Sequence, residues 1–221
     1  MHGELTVVGD LPGAFARTVI EAWQARSGEL FHLALAGGGT AGPCYERLAA
    51  DSHDVIDWLS VNVYWGDERC VAPEDPASNQ LLGRRSLLER VGGANAVYPM
   101  SCDEGPDAYA LRLGDVGKLD VIHLGMGADG HTASLFPGSA ALDADPGQLV
   151  ARSEDPSGRN RLPRMTLTLS AISRARLVVF TVAGASKRDT LRAVIDGADL
   201  PAGRVTADRV VWLVDRDAAP A

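Results

Sequence analysis

The chain has 221 residues, 46% of them hydrophobic, enough for one globular domain with a substantial core. Its formal charge of -8, from 29 acids against 21 bases, argues against nucleic acid as a partner. No apolar stretch approaches the roughly 18 residues of a membrane span. The opening Met1-His2-Gly3-Glu4 lacks the basic and apolar regions of a secretory signal. Three scattered cysteines, Cys44, Cys70 and Cys102, suggest neither a disulfide framework nor a zinc spacing, so a reduced, cytoplasmic protein is expected.

A strand is predicted over 5–8 and a helix over 12–26, where Phe15, Val19, Ala22 and Trp23 recur at helical spacing. A strand over 31–36, a helix over 42–50 and a strand over 61–65 follow. Helices over 79–90 and 106–115 then precede an apolar strand over 119–124. The stretch 143–164, rich in Asp, Pro, Gly and Arg, reads as a surface excursion with a weak strand over 149–153. Residues 165–169 read as a strand running toward a short helix. A strand over 177–182, a helix over 186–195 and a strand over 210–214 complete the chain, with 216–221 expected to fray. Alternating strands and helices predict an α/β fold: a mostly parallel sheet with helices on both faces, a modified Rossmann-like single domain. Ligands in such sheets bind beyond the carboxyl ends of the strands, where the polar motifs are expected to gather.

The densest motif follows the strand over 119–124. Residues 124–138 read Leu-Gly-Met-Gly-Ala-Asp-Gly-His-Thr-Ala-Ser-Leu-Phe-Pro-Gly. Glycines at a strand exit let backbone approach a ligand closely and expose its N–H groups. Asp129 and His131 supply a carboxylate and an imidazole two positions apart, as proton transfer requires. Gly125, Gly127 and Gly130 satisfy Gly-x-Gly-x-x-Gly, but Pro137 arrives too soon for the long helix of a dinucleotide site. A metal site built on His123, Asp129 and His131 lacks a recognisable ligand spacing. His123, inside an apolar strand, reads as a packed core residue.

Four further clusters carry charge or exposed backbone. Gly37, Gly38, Gly39 and Thr40 precede a helix, an arrangement that offers N–H groups and the positive end of a helix dipole to an anion. No Gly-Lys-Ser/Thr follows, so ATP is not implied. Trp65-Gly66-Asp67-Glu68-Arg69, with Ser78-Asn79 beyond it, supplies an arginine able to grip phosphate and an acid able to hold that arginine or a sugar hydroxyl. Arg164 opens Arg-Met-Thr-Leu-Thr, and Gly184-Ala185-Ser186-Lys187 starts a helix that Ser186 could cap. Lys187 is one of only two lysines, the other being Lys118.

The run at 124–138 resembles the signature of 6-phosphogluconolactonases, Gly-x-Gly-x-Asp-Gly-His-x-Ala-Ser-Leu-Phe-Pro-Gly. The other clusters resemble that family's Trp-x-Asp-Glu-Arg with Ser-Asn, Arg-x-Thr-Leu-Thr and Gly-x-x-Lys elements. At the glycine loop the family writes Gly-Gly-Ser-Thr-Pro; here Gly39 and Ala41 replace the serine and proline. The resemblance implies hydrolysis of 6-phosphoglucono-δ-lactone to 6-phosphogluconate, in the pentose phosphate pathway, without metal or cofactor. It implies His131 as general base, with Asp129 beside it to orient either the imidazole or the sugar. The phosphate falls to Gly37, Gly38, Gly39, Thr40, Arg69 and Lys187, with Asp67 and Arg164 nearby, and the N–H groups of Gly127 and Gly130 are the oxyanion candidates. The partner is then a small sugar-phosphate lactone, with no nucleic acid or membrane, and the state a monomer or weak homo-oligomer. Two rivals are an amino-sugar phosphate deaminase or isomerase, opposed by Ser134-Leu135-Phe136-Pro137, and a non-enzymatic sugar-phosphate sensor, which lacks room for an output module.

Overall fold

The computed structural model describes residues 1–220. Strand β1 (Glu4–Val8) leads into helix α1 (Leu11–Gln24), whose start is fixed by the Asp10 carboxylate accepting the Gly13 N–H. The α1 face bearing Phe15, Val19 and Trp23 is buried. Next come β2 (Phe31–Leu35), α2 (Ala41–Asp51), β3 (Val61–Trp65) and a short strand β4 (Asp67–Arg69). The helix expected over 79–90 forms as α3 (Asn79–Gly83), a π-helical turn (Arg84–Leu88) and α4 (Glu89–Val91). Then follow β5 (Ala96–Val97), α5 (Gly105–Gly114), β6 (Val121–Gly125), β7 (Val150–Ser153), β8 (Arg164–Leu167) and α6 (Leu169–Ile172). Strand β9 (Leu177–Val182), helix α7 (Arg188–Ile195) and β10 (Arg209–Asp215) end the fold.

Seven strands form one parallel sheet in the order β1-β10-β9-β6-β2-β3-β5. Helices flank it: α1 packs on α2 and against β9 and β10, while the Tyr109 hydroxyl on α5 bonds the Trp65 backbone. Strands β2, β3, β6 and β9 are buried along nearly their whole length, as a sheet covered on both faces requires.

Three expectations change. The excursion over 143–164 contains β7, which pairs antiparallel with β8, and β8 pairs antiparallel with β4, giving a second, three-stranded sheet. Arg164 therefore stands on this small sheet and not at the carboxyl end of a parallel strand. The tail does not fray directly after β10. Ala218 is fully buried and its N–H donates to Asp215 Oδ1; Ala221 lies outside the described residues. Finally, Cys70 and Cys102, 32 positions apart in sequence, form a disulfide with Cα atoms 5.5 Å apart, and only Cys44 is a free thiol. Cysteine usage thus gives no argument for a reducing compartment. Among the described residues no helix is long and apolar enough to cross a membrane.

Candidate active site

Strands β2, β6 and β9 end at one rim, and there the chain encloses an open cavity of about 300 Å³. The loop after β2 brings Gly37, Gly38, Gly39 and Thr40 to one wall, and β4 brings Asp67 and Arg69. The loop after β6 contributes Gly127 and His131, β8 contributes Arg164, and the turn before α7 contributes Lys187. Ten of the twelve residues nominated from sequence line this space. Asp129 and Gly130 stand behind it.

The imidazole of His131 is held from behind. Its Nδ1–H donates to Asp129 Oδ1 at 2.5 Å, and its backbone N–H reaches the same oxygen at 3.1 Å. That fixes the tautomer with the proton on Nδ1 and leaves Nε2 with a lone pair. Phe136 packs against the ring at 4.8 Å between centroids. A Cβ on Gly127 would collide with the imidazole, so glycine is required there by close approach. Burial pushes the Asp129 carboxyl up, but the hydrogen bonds and charge of His131 outweigh it and hold the group below its usual value. Asp129 thus orients the imidazole and has no place on the cavity wall.

The oxyanion candidates fail on geometry. The Gly127 N–H donates to His131 O at 2.8 Å, and the Gly130 N–H donates to Gly127 O at 3.1 Å. Both groups close the turn that presents His131 and are not free for a ligand. Gly130 is still needed as glycine, since φ is +83° and Leu200 crowds the Cβ position. Ala133, also on the cavity wall, is the non-glycine residue with positive φ, 47°, among the described residues.

The opposite wall is cationic and rich in free backbone donors. The N–H groups of Gly38, Gly39 and Thr40 meet no acceptor among the described residues, and the Thr40 hydroxyl does not cap α2. Ser186 does not cap the following helix either. The Lys187 turn is set by Gly184, at φ +89°, whose N–H donates to the Asp215 carboxylate.

Asp67 does not hold Arg69. Its Oδ2 accepts from Ser134 Oγ at 2.5 Å and faces Arg164 Nη1 at 3.6 Å, while Oδ1 accepts from Asn79 Nδ2. Burial pushes the Arg164 guanidinium below its usual value, and the Asp67 charge opposes that; an arginine keeps its proton regardless. Arg69 is steered by the Asn79 side chain instead, donating to its Oδ1 at 2.5 Å and to Ala77 O at 2.8 Å. Asn79 is fully buried and also abuts Gly37, where any Cβ would overlap its carboxamide. Glu68, buried beneath, accepts the backbone N–H groups of Arg69, Asn79 and Gln80 and the Ser78 hydroxyl. Sequence reasoning assigned no role to Asn79, Glu68 or Ser134. Each sat inside a recognised motif, and that position was the only available signal.

Among the described residues no group of three or more His, Cys, Asp or Glu side chains could hold a metal ion. An oriented imidazole with Nε2 free, in one cavity with cationic side chains and unpaired backbone N–H groups, can take up a proton beside an anionic ligand.

Residues 8–212 match the model of the family described as glucosamine-6-phosphate isomerases/6-phosphogluconolactonase. The chain belongs to that family. Within the family it is similar to the 6-phosphogluconolactonase of Mycobacterium tuberculosis, 38% identical over 208 residues, covering 85% of this chain and 83% of that one. The 6-phosphogluconolactonase of Synechocystis sp. is 36% identical over 205 residues, covering 84% and 82%. Among solved structures, the 6-phosphogluconolactonase of Thermotoga maritima superposes with a TM-score of 0.85 at 26% identity, covering 96% of this chain and 99% of that one. A monomeric glucosamine-6-phosphate deaminase, 17% identical with a TM-score of 0.80, shares the fold.

Proposed function

We propose that this chain is a 6-phosphogluconolactonase, hydrolysing 6-phosphoglucono-δ-lactone to 6-phosphogluconate in the oxidative pentose phosphate pathway. The observation that carries the reading is the His131–Asp129 pair, oriented with Nε2 free, across one cavity from a cationic wall with unpaired N–H groups. The relatives named 6-phosphogluconolactonase support it.

The dianionic phosphate sits against residues 37–40, Arg69 and Lys187, and this remote anchor places the lactone carbonyl by His131. Water adds to the carbonyl carbon while His131 Nε2 takes its proton. Asp129 stabilises the imidazolium that forms. The tetrahedral adduct then collapses, the bond from carbon to ring oxygen breaks, and that oxygen recovers the proton from His131. Asp67, locked between Ser134, Asn79 and Arg164, fixes the wall between anion seat and base. The ligand is a small sugar-phosphate lactone; no nucleic acid, membrane or cofactor enters, and the protein acts in the cytoplasm as a monomer or weak homo-oligomer.

The test generates the lactone with a dehydrogenase and follows its disappearance with and without the protein. Disappearance at the uncatalysed rate would reject the reading.

A further inference from the structure

His123 belongs to none of the five motifs, yet it lines the site. It lies on β6, between β2 and β9 in the sheet, is 1% exposed, and contributes to the cavity wall. Phe15 of α1 packs on its ring with centroids 4.3 Å apart. A histidine held only by packing would leave two ring nitrogens unpaired in the core, at considerable cost. Here both are paired. Nδ1 lies 2.9 Å from the Tyr45 hydroxyl and Nε2 lies 2.8 Å from the Thr181 hydroxyl.

Those two partners lead to the two arms of the anion seat. The Tyr45 hydroxyl accepts the Ala36 N–H at 2.6 Å and donates to Ala36 O at 2.9 Å. Ala36 is the residue immediately before Gly37, so this clamp sets where the glycine loop leaves β2. Thr181 is near the end of β9, the strand that continues into the Gly184 turn and Lys187. One arrangement of protons satisfies every group. Thr181 donates to Nε2, Nδ1–H donates to the Tyr45 oxygen, and the Tyr45 proton goes to Ala36 O. It needs a neutral imidazole with its proton on Nδ1.

We propose that His123 is a positioning residue for the anion seat, its neutral imidazole tying the glycine loop after β2 to strand β9 through Tyr45 and Thr181. It touches no reacting atom. Its effect falls on the phosphate end of the ligand and leaves the chemical step alone. The inference rests on residues 37–40 and Lys187 being the phosphate seat.

The experiment measures kcat and KM for the phosphorylated and the unphosphorylated lactone, and the inhibition constant of inorganic phosphate. It uses the parent, His123→Leu, His123→Asn, His123→Gln and Tyr45→Phe. His123→Leu and Tyr45→Phe are expected to raise KM for the phosphorylated lactone and the phosphate inhibition constant by about three- to tenfold, the size of one or two hydrogen bonds. Their kcat, and both constants for the unphosphorylated lactone, should stay within about twofold. His123→Asn keeps an amide where Nδ1 met Tyr45 and should recover most of the affinity. His123→Gln keeps only the Thr181 side and should recover less. Equal losses on both lactones, or unchanged phosphate inhibition in folded His123→Leu, would overturn the inference. If His123→Leu does not fold, the pair His123→Asn and His123→Gln decides, since both leave the Tyr45 clamp on Ala36 intact and equal behaviour of the two on phosphate would overturn the inference. A parent that does not prefer the phosphorylated lactone would overturn the anion seat itself, whereas a preference that every variant retains overturns only the role of His123.

Discussion

The carboxylate of Asp129 receives two hydrogen bonds from His131, one from the ring and one from the backbone, both on Oδ1. A single oxygen therefore fixes the loop and the tautomer together. Asp129→Asn should keep the fold but present either an amide N–H or a carbonyl to Nδ1, with no charge to stabilise the imidazolium. We expect kcat to fall by about a hundred- to ten-thousandfold in Asp129→Asn, and at least as far in His131→Gln. Steady-state rates alongside circular dichroism check this. A His131→Gln protein within a few-fold of the parent rate would remove His131 from the mechanism.

Lys187 tests the phosphate seat directly. Lys187→Ala should lose roughly 1.5–3 kcal/mol, about ten- to a hundredfold in kcat/KM, for the phosphorylated lactone. The loss for unphosphorylated gluconolactone should be much smaller, because that molecule never made the contact. Lys187→Arg should restore only part, a planar fork standing in for a compact ammonium. Equal losses on the two lactones would assign Lys187 to the structure or the chemistry.

Activity should need no metal, since the proposed mechanism assigns water activation to the His131 imidazole, held by Asp129 with Nε2 free. Exhaustive dialysis against a strong chelator is expected to leave the rate in metal-free buffer unchanged. Loss of activity restored by one divalent ion would make His131 and Asp129 ligands.

The Cys70–Cys102 disulfide joins the residue after Arg69 to the loop before α5. Thiol titration of the denatured, unreduced protein should find one group, Cys44; three would show the pair to be reduced. Cys102→Ser should lower stability by about 2–4 kcal/mol, mainly by freeing the unfolded chain. Denaturant unfolding with and without reductant measures it.

Burial holds the His123 imidazole down at about 3, against 6.5 when free. The unfolded chain takes up this proton below pH 6.5 and the folded chain does not until about pH 3. Stability is therefore expected to fall as pH drops through that window, by up to about 1.4 kcal/mol per pH unit from this group. Above pH 6.5 the group should have no effect. Denaturant unfolding of the parent and His123→Asn across this range checks the sign. Parallel pH profiles for the two proteins would reject it.

The order of strands and helices was legible in the sequence because periodicity and turn chemistry are local. The apolar run that became β9 and the glycines after β2 and β6 needed no distant partner to be recognised. The nearness of His131 and Asp129 was equally accessible, the two being neighbours in one loop, but whether the acid holds the imidazole or the sugar was decided only by the fold. Partner choice across the fold was not. The Ser134–Asp67 bond spans 67 positions, that of Tyr45 to His123 spans 78, and the cystine spans 32. Arg69 sits two residues from Asp67, yet that acid faces Arg164, which the register of β4 against β8 sets opposite Arg69. The Gly127 and Gly130 N–H groups were taken up locally, by the turn that presents His131, whereas long-range packing set the core histidine His123 between Tyr45 and Thr181. Local sequence determined which groups reach the rim. Long-range packing, through strand register and the need to satisfy every buried polar atom, decided which of them remain free to act.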